Sequence, residues 1–137
     1  MKLLDPFDSN MKLLAKVLDL RSAKQNVIAT NIANAETPGF AKKEFLFEDE
    51  LKQAIHAKPG TLATTHSNHI AITPENISSV SGNIRDVKDK TGIGDENGVS
   101  VDMEMMDLAE NELLYETAAQ LLKKKFSMLS YVVQEGK

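Results

Sequence analysis

The 137-residue chain contains no cysteine and no tryptophan. A disulfide, a thiolate metal ligand and a thiol nucleophile are therefore excluded. Aromatic residues make up only 5% of the chain, and none lies between Glu48 and Leu114. No run of 18 apolar residues occurs, so no membrane-spanning helix is expected. The opening "MKLLDPFDSN" lacks the apolar core of a cleaved secretory signal. If this chain leaves the cytoplasm, it uses a route that does not need one. Strong charge of either sign is also missing. The net charge is −4, and the only basic run is Lys123 to Lys125. Adjacent helical residues point in different directions, so that run reads as a solvated face. Neither nucleic acid nor an anionic membrane is an expected partner.

What is present is an apolar fraction of 42%, too high for a disordered chain, in a length that suits one domain. The pattern divides the chain. Residues 1–36 read as a helix, with Met11, Leu14, Leu18, Gln25, Ile28, Ile32 and Ala35 on one seam. Leu13, Val17, Leu20 and Val27 form a second seam beside it. Asp5 and Pro6 supply a start signal, with Ser9 as an alternative cap.

Residues 101–137 read as a second helix, about 50 Å long at about 1.5 Å per residue. Val101, Met105, Leu108, Glu112, Tyr115, Ala119, Leu122, Phe126, Leu129 and Val133 recur by threes and fours. Leu114, Leu121 and Met128 add a line spaced by seven. Ser100 caps the start, and Asp102 and Glu104 suit the positive first turn.

Between the helices, residues 37–58 form a turn and a short aromatic segment, in which "FLFEDELKQAIHA" reads as a short helix or an extended clip followed by one. Residues 59–100 hold five of the seven glycines and two of the four prolines, and are expected to be flexible or weakly β. "HIAIT" is a candidate strand, and "NISSVSGNIRDVKDKTGIGDENG" reads as polar loop. The expected fold is mainly α: long terminal helices packed as a coiled-coil-like pair around that middle. Both apolar faces are wider than one helix can cover, so the remaining surface needs other subunits.

Signals for chemistry are thin. His66 and His69 in "HSNH" lack further ligands in a metal-site pattern. "GDENGVSVDME" fills only part of a calcium loop. "TGIGDENG" lacks the Gly-Lys-Ser/Thr of a phosphate loop, and no nucleophile–base set follows from spacing. "NIS" at Asn76 matches a glycosylation acceptor, a pattern common by chance. The methionines Met103, Met105, Met106 and Met128 read as core or interface filling rather than a cofactor site. No enzyme, cofactor, metal or small-molecule substrate is expected. Phe40, Phe45 and Phe47 either pack back on the helices or anchor a neighbour.

The stretch "NIANAETPGF", from Asn31 to Phe40, is the most distinctive. Asn31 and Asn34 border the apolar face. A buried Asn in a helical seam demands a matching hydrogen bond and so fixes register. The milder reading is that Asn34, a poor helix former, frays the helix end. Pro38 cannot continue the helix, it drives Thr37 toward extended geometry, and Pro38-Gly39 suits the middle of a type II turn.

"RSAKQNVIATNIANAETPGF" resembles the N-terminal signature of the bacterial flagellar rod and hook axial proteins: an Asn-Ile-Ala-Asn core, then Thr-Pro-Gly and an aromatic. Phe40 stands where Tyr is frequent. The C-terminal "VDMEMMDLAENELLYETAAQLLKKKFSMLSYVVQEGK" resembles the end of the short proximal-rod members. The resemblance implies a structural subunit of the proximal rod, a tubular helical assembly that carries motor torque across the periplasm. Its terminal helices would form the inner layer. It implies export by the flagellar type III apparatus without a cleaved signal peptide. Partners would be other rod subunits, further copies of itself, and the membrane ring and export gate of the basal body. A soluble coiled-coil adaptor or export chaperone is the alternative.

The packing positions expected on this reading are Leu14, Leu18, Ile28 and Ile32 with Leu108, Tyr115, Leu122, Phe126 and Leu129. Asn31, Asn34, Thr37, Pro38, Gly39 and Phe40 are expected to set the turn and the register.

Overall fold

A computed structural model describes residues 9–56, 74–87 and 98–135. The elements run α1 (Ser9–Ala33), β1 (Lys42–Leu46), α2 (Glu48–His56), a 3-10 helix (Pro74–Ser79), β2 (Asn83–Val87) and α3 (Val101–Glu135). The fold is mainly α, with the two long helices packed on each other and a small β element between them.

α1 and α3 are antiparallel. Arg21 meets Asn111, and Asn31, one step of ten residues along α1, meets Glu104, seven residues back along α3. α3 has 35 residues against 25 in α1.

α1 ends where its sequence changes character. Past Ala33, the amides of Asn34 and Ala35 bond back to Asn31 and Ile32, each at 3.2 Å. The Phe40 amide then donates to the Thr37 carbonyl at 3.2 Å, and Gly39 has φ 73°. That is the type II turn expected for Pro38-Gly39, since its third position requires a positive φ.

The chain next extends as β1 and enters α2, so "FLFEDELKQAIHA" is the extended clip followed by a helix. Three carboxylates, Glu48, Asp49 and Glu50, sit in the first turn of α2, where the helix dipole favours them. A 3-10 helix, Pro74–Ser79, runs into the stretch read as polar loop, and within that stretch Asn83–Val87 form β2. β2 pairs antiparallel with β1, with Lys42 opposite Val87 and Leu46 opposite Asn83. Directly opposed Glu44 and Arg85 form an ion pair at 2.7 Å. Periodicity missed β2 because its side chains are nearly all exposed and it buries no alternating face. The segments "HSNH" and "HIAIT" and the stretch "DEN" at 95–97 lie outside the described residues.

The core is small and lies on one side of α1. Leu20, Phe45, Phe47, Leu51, Ala54 and Val80 are buried together, and Leu13, Val17, Ala23, Val27 and Ile77 pack on them. The second α1 seam therefore holds the middle of the chain, leaving the first free for α3. Phe45 and Phe47 resolve the choice left open by the sequence: they pack inward, with ring centroids 5.6 Å apart. Phe40 is half-buried.

Gly82 joins the 3-10 helix to β2 with φ 68°. A Cβ there would collide with the ring of Phe45. Glu50 fixes this corner by accepting hydrogen bonds from the Ser81 and Gly82 amides, at 3.4 and 3.0 Å. Across from it, Lys16 donates to the Ser78 carbonyl at 3.1 Å and ties the 3-10 helix to α1.

Candidate functional site

Two surfaces of the helical pair stand out: the buried seam between α1 and α3, and the outer side of α3.

The buried seam is polar at its centre. The α3 residues buried there are Glu104, Asn111 and Ala118, spaced by seven. Asn31 is 1% exposed and so is Glu104. Asn31 Nδ2 donates to Oε2 of Glu104 at 2.9 Å and to the Lys43 carbonyl at 2.7 Å. Its Oδ1 accepts the Lys43 amide at 2.9 Å. In an antiparallel strand the amide and carbonyl of one residue point to the same side. Both Lys43 groups go to Asn31, so they face away from β2. The carboxamide of Asn31 thus acts as a peptide unit on the open edge of β1.

Glu104 is balanced by charge. Lys42 Nζ lies 2.7 Å from its Oε1 and 4.0 Å from Asp107. The Lys42 ammonium is held above its ordinary pKa, chiefly by its contact with Glu104, against the opposing effect of its own partial burial. One asparagine, one glutamate and one lysine therefore join α1, β1 and α3.

A second polar station lies along the pair. Asn111 Nδ2 donates to the Arg21 carbonyl at 2.9 Å, and its Oδ1 accepts from Arg21 Nη1 at 3.4 Å. The Arg21 guanidinium lies 5.0 Å from the centroid of Phe47 and 3.7 Å from Glu48. Lys24 completes the group, 2.7 Å from the Glu48 carboxylate. Burial would raise the Glu48 pKa, but hydrogen bonds from Lys24 and from the Glu48 and Phe47 amides outweigh it and lower the net value. Gln25 also reaches α3, donating to Glu112 at 3.4 Å.

The expected positions fall into groups. Asn31 makes its hydrogen bonds within its own chain, to Glu104 and to the Lys43 backbone. Asn34 donates to the Thr30 carbonyl at 2.8 Å, and the Thr37 hydroxyl lies 3.4 Å from its Oδ1, so its bonds stay inside its own turn. Thr37, Pro38 and Gly39 are exposed on the turn. Ile28 is buried, and Leu14, Leu18, Ile32, Leu108 and Leu122 are half-buried. Tyr115, Phe126 and Leu129 are exposed in the single chain.

The sequence reading missed the contacts of Asn111, Arg21 and Lys42, and took Glu104 only as a first-turn carboxylate. Apolar periodicity favoured the line through Met105, Leu108 and Tyr115, in which Glu112 is a polar interruption. The signal for the true buried line was the seven-residue step Glu104, Asn111, Ala118, with a small residue that allows close approach.

The outer side of α3 is the converse of the seam. Met106 is 67% exposed, Leu113 65%, Leu121 50% and Met128 49%. Toward the C-terminus Tyr131, Val132 and Val133 are also exposed. An apolar face this long on a single helix marks an interaction surface. Among the described residues, no helix is long and apolar enough to cross a membrane.

Comparison with known proteins bears on the same residues. The family described as flagella basal body rod protein matches residues 18–40, from the middle of α1 through the type II turn. Flagellar basal body rod protein FlgB of Aeromonas hydrophila is 32% identical over 123 residues, spanning 90% of this chain and 91% of that protein. FlgB of Escherichia coli K12 is 31% identical over 142 residues, spanning 98% and 99% of the two chains. FlgB of Salmonella typhimurium is 30% identical over 138 residues, with the same coverage.

Proposed function

We propose a role on one premise: the chain belongs to the FlgB family of flagellar basal body rod proteins. Its role is that of a structural subunit of the proximal rod, in a tubular helical assembly that carries motor torque across the periplasm. The observation that carries this reading is the division of labour on α3. Its inner side is satisfied by polar contacts within the chain, and its outer side offers an apolar face to neighbours. Burial of such a face between copies supplies the free energy of assembly. The polar seam keeps each subunit one rigid piece while load passes through the outer face. Other rod subunits and the ring and export gate of the basal body are its partners. It reaches them through the flagellar type III route, without a cleaved signal peptide.

The test is a deletion strain. Loss of filaments, with basal bodies that stop before the rod, is the expected result, along with recovery of the tagged chain in purified basal bodies. A chain that stays in the cytoplasmic fraction, with normal rods in its absence, supports an adaptor or export chaperone instead.

A further inference from the structure

The exposed stripe of α3 also carries charge, and the charge limits how a second copy can lie on it. Glu110, Leu114, Thr117, Leu121, Lys124 and Met128 alternate by four and three and so share one face. All six are exposed. Tyr131 continues the stripe. Glu110 and Lys124 form no ion pair with any described residue, and they stand fourteen residues apart.

A parallel copy in register would set Glu110 on Glu110 and Lys124 on Lys124, a repulsive arrangement. A shift of one heptad places Glu110 and Lys124 each beside Thr117, leaving both charges unmatched. A shift of two heptads, about 21 Å at about 1.5 Å per residue, sets Glu110 against Lys124, Leu114 against Met128 and Thr117 against Tyr131. An antiparallel copy centred on Thr117 also joins the two charges, but it closes a two-fold dimer. The shifted parallel contact leaves a free half-stripe at each end and can continue. That choice rests on the rod reading, since a tube needs contacts that do not close on themselves. We propose that the outer stripe of α3 docks a second copy of this chain in parallel, displaced by two heptads, with Glu110 of one copy against Lys124 of the next.

The absence of cysteine makes the test clean. The full chain carrying both Thr117→Cys and Tyr131→Cys is oxidised in isolated basal bodies and as concentrated purified protein. The two positions are about 21 Å apart on one helix, too far to bridge within a chain. A ladder of disulfide-linked multimers is expected from the double variant, and no link from either single variant. Dimers from Thr117→Cys alone, or no ladder from the double variant, overturn the proposal.

The charges are tested on the same background. Glu110→Lys and Lys124→Glu should each lower the yield of the ladder several-fold, and the two together should restore it. Unchanged yield in the single charge variants overturns the pairing. The rod reading fails separately, through a deletion strain that still builds rods. Intact rods that give only Thr117→Cys dimers reject the displaced contact and leave the rod reading standing.

Discussion

Asn31 Nδ2 and Glu104 Oε2 lie 2.9 Å apart in a site that water barely reaches. One residue belongs to the last turn of α1 and the other to the first turn of α3. The same carboxamide also grips Lys43 in β1. Three segments therefore meet at one side chain, and its removal would leave the buried Glu104 carboxylate and the partly buried Lys43 amide and carbonyl short of a partner.

Asn31→Leu is the direct test of that dependence. Leucine suits the helix, so far-ultraviolet circular dichroism should be nearly unchanged. The Lys43 amide and carbonyl and the Glu104 carboxylate lose a partner, which costs about 3 kcal/mol. Urea unfolding should show a lower midpoint at an unchanged slope. Motility of a strain carrying the variant should fall with it. Normal swimming and normal basal bodies would count against a register role for Asn31.

Lys42 and Glu104 should behave as a coupled pair. Lys42→Met leaves a buried carboxylate without its cation and should cost about 2 to 3 kcal/mol. Adding Glu104→Met removes the stranded charge. The double variant should therefore lose less than the sum of the two single losses, by about 1 kcal/mol or more in a double-mutant cycle. Strict additivity would show that the 2.7 Å contact contributes nothing.

Gly82→Ala tests the close approach at the start of β2. Alanine meets both an unfavourable positive φ and the ring of Phe45. The expected loss is about 3 kcal/mol, from left-handed backbone strain and overpacking together. Thermal unfolding of the purified chain measures it. The exposed Gly39, with nothing within 4 Å of its Cβ position, should show the smaller, backbone-only part of that loss when changed to Ala.

The pH dependence has two edges. Glu48 has a lowered pKa in the fold, so its contribution is present above the ordinary value of 4.5 and is lost as pH falls through the folded value. Lys42 has a raised pKa, so its contribution is complete below the ordinary value of 10.5 and is lost as pH rises through the folded value. Urea midpoints measured against pH should decline at both edges. Glu48→Gln should flatten the acid edge alone, and Lys42→Met the alkaline edge alone.

Leu121→Ser and Met128→Ser should separate stability from assembly. Both side chains are about half exposed in the single chain, so unfolding should shift by no more than about 0.5 kcal/mol. Complementation of a deletion strain should nevertheless fail if, as proposed, the outer face of α3 joins copies. Full complementation by the paired variant would remove the outer face from the assembly surface.

The sequence made some of this legible and hid the rest for identifiable reasons. The long helices announced themselves through spacings of three and four, and Pro38-Gly39 announced the turn through conformational restriction. Asn31 stood out because an asparagine beside isoleucines needs a partner. Its partner did not, because Glu104 looks like an ordinary first-turn carboxylate until α1 is laid over it. Asn111 was hidden in the same way, one step from the apolar line that periodicity follows. β2 carries Asn83, Arg85 and Asp86 and no buried face, so only its pairing with β1 reveals it.

The polar seam of α3 also has a consequence for temperature. Heat-capacity change on association follows the apolar area removed from water. Where α3 meets α1 it buries a glutamate and an asparagine, whereas its outer side holds Met106, Leu113, Leu121 and Met128 ready for a neighbour. The joining of copies should therefore carry the larger negative heat-capacity change, and the closing of each pair the smaller. Apolar attraction weakens on cooling, so chilling should loosen the joints between copies while each subunit stays closed.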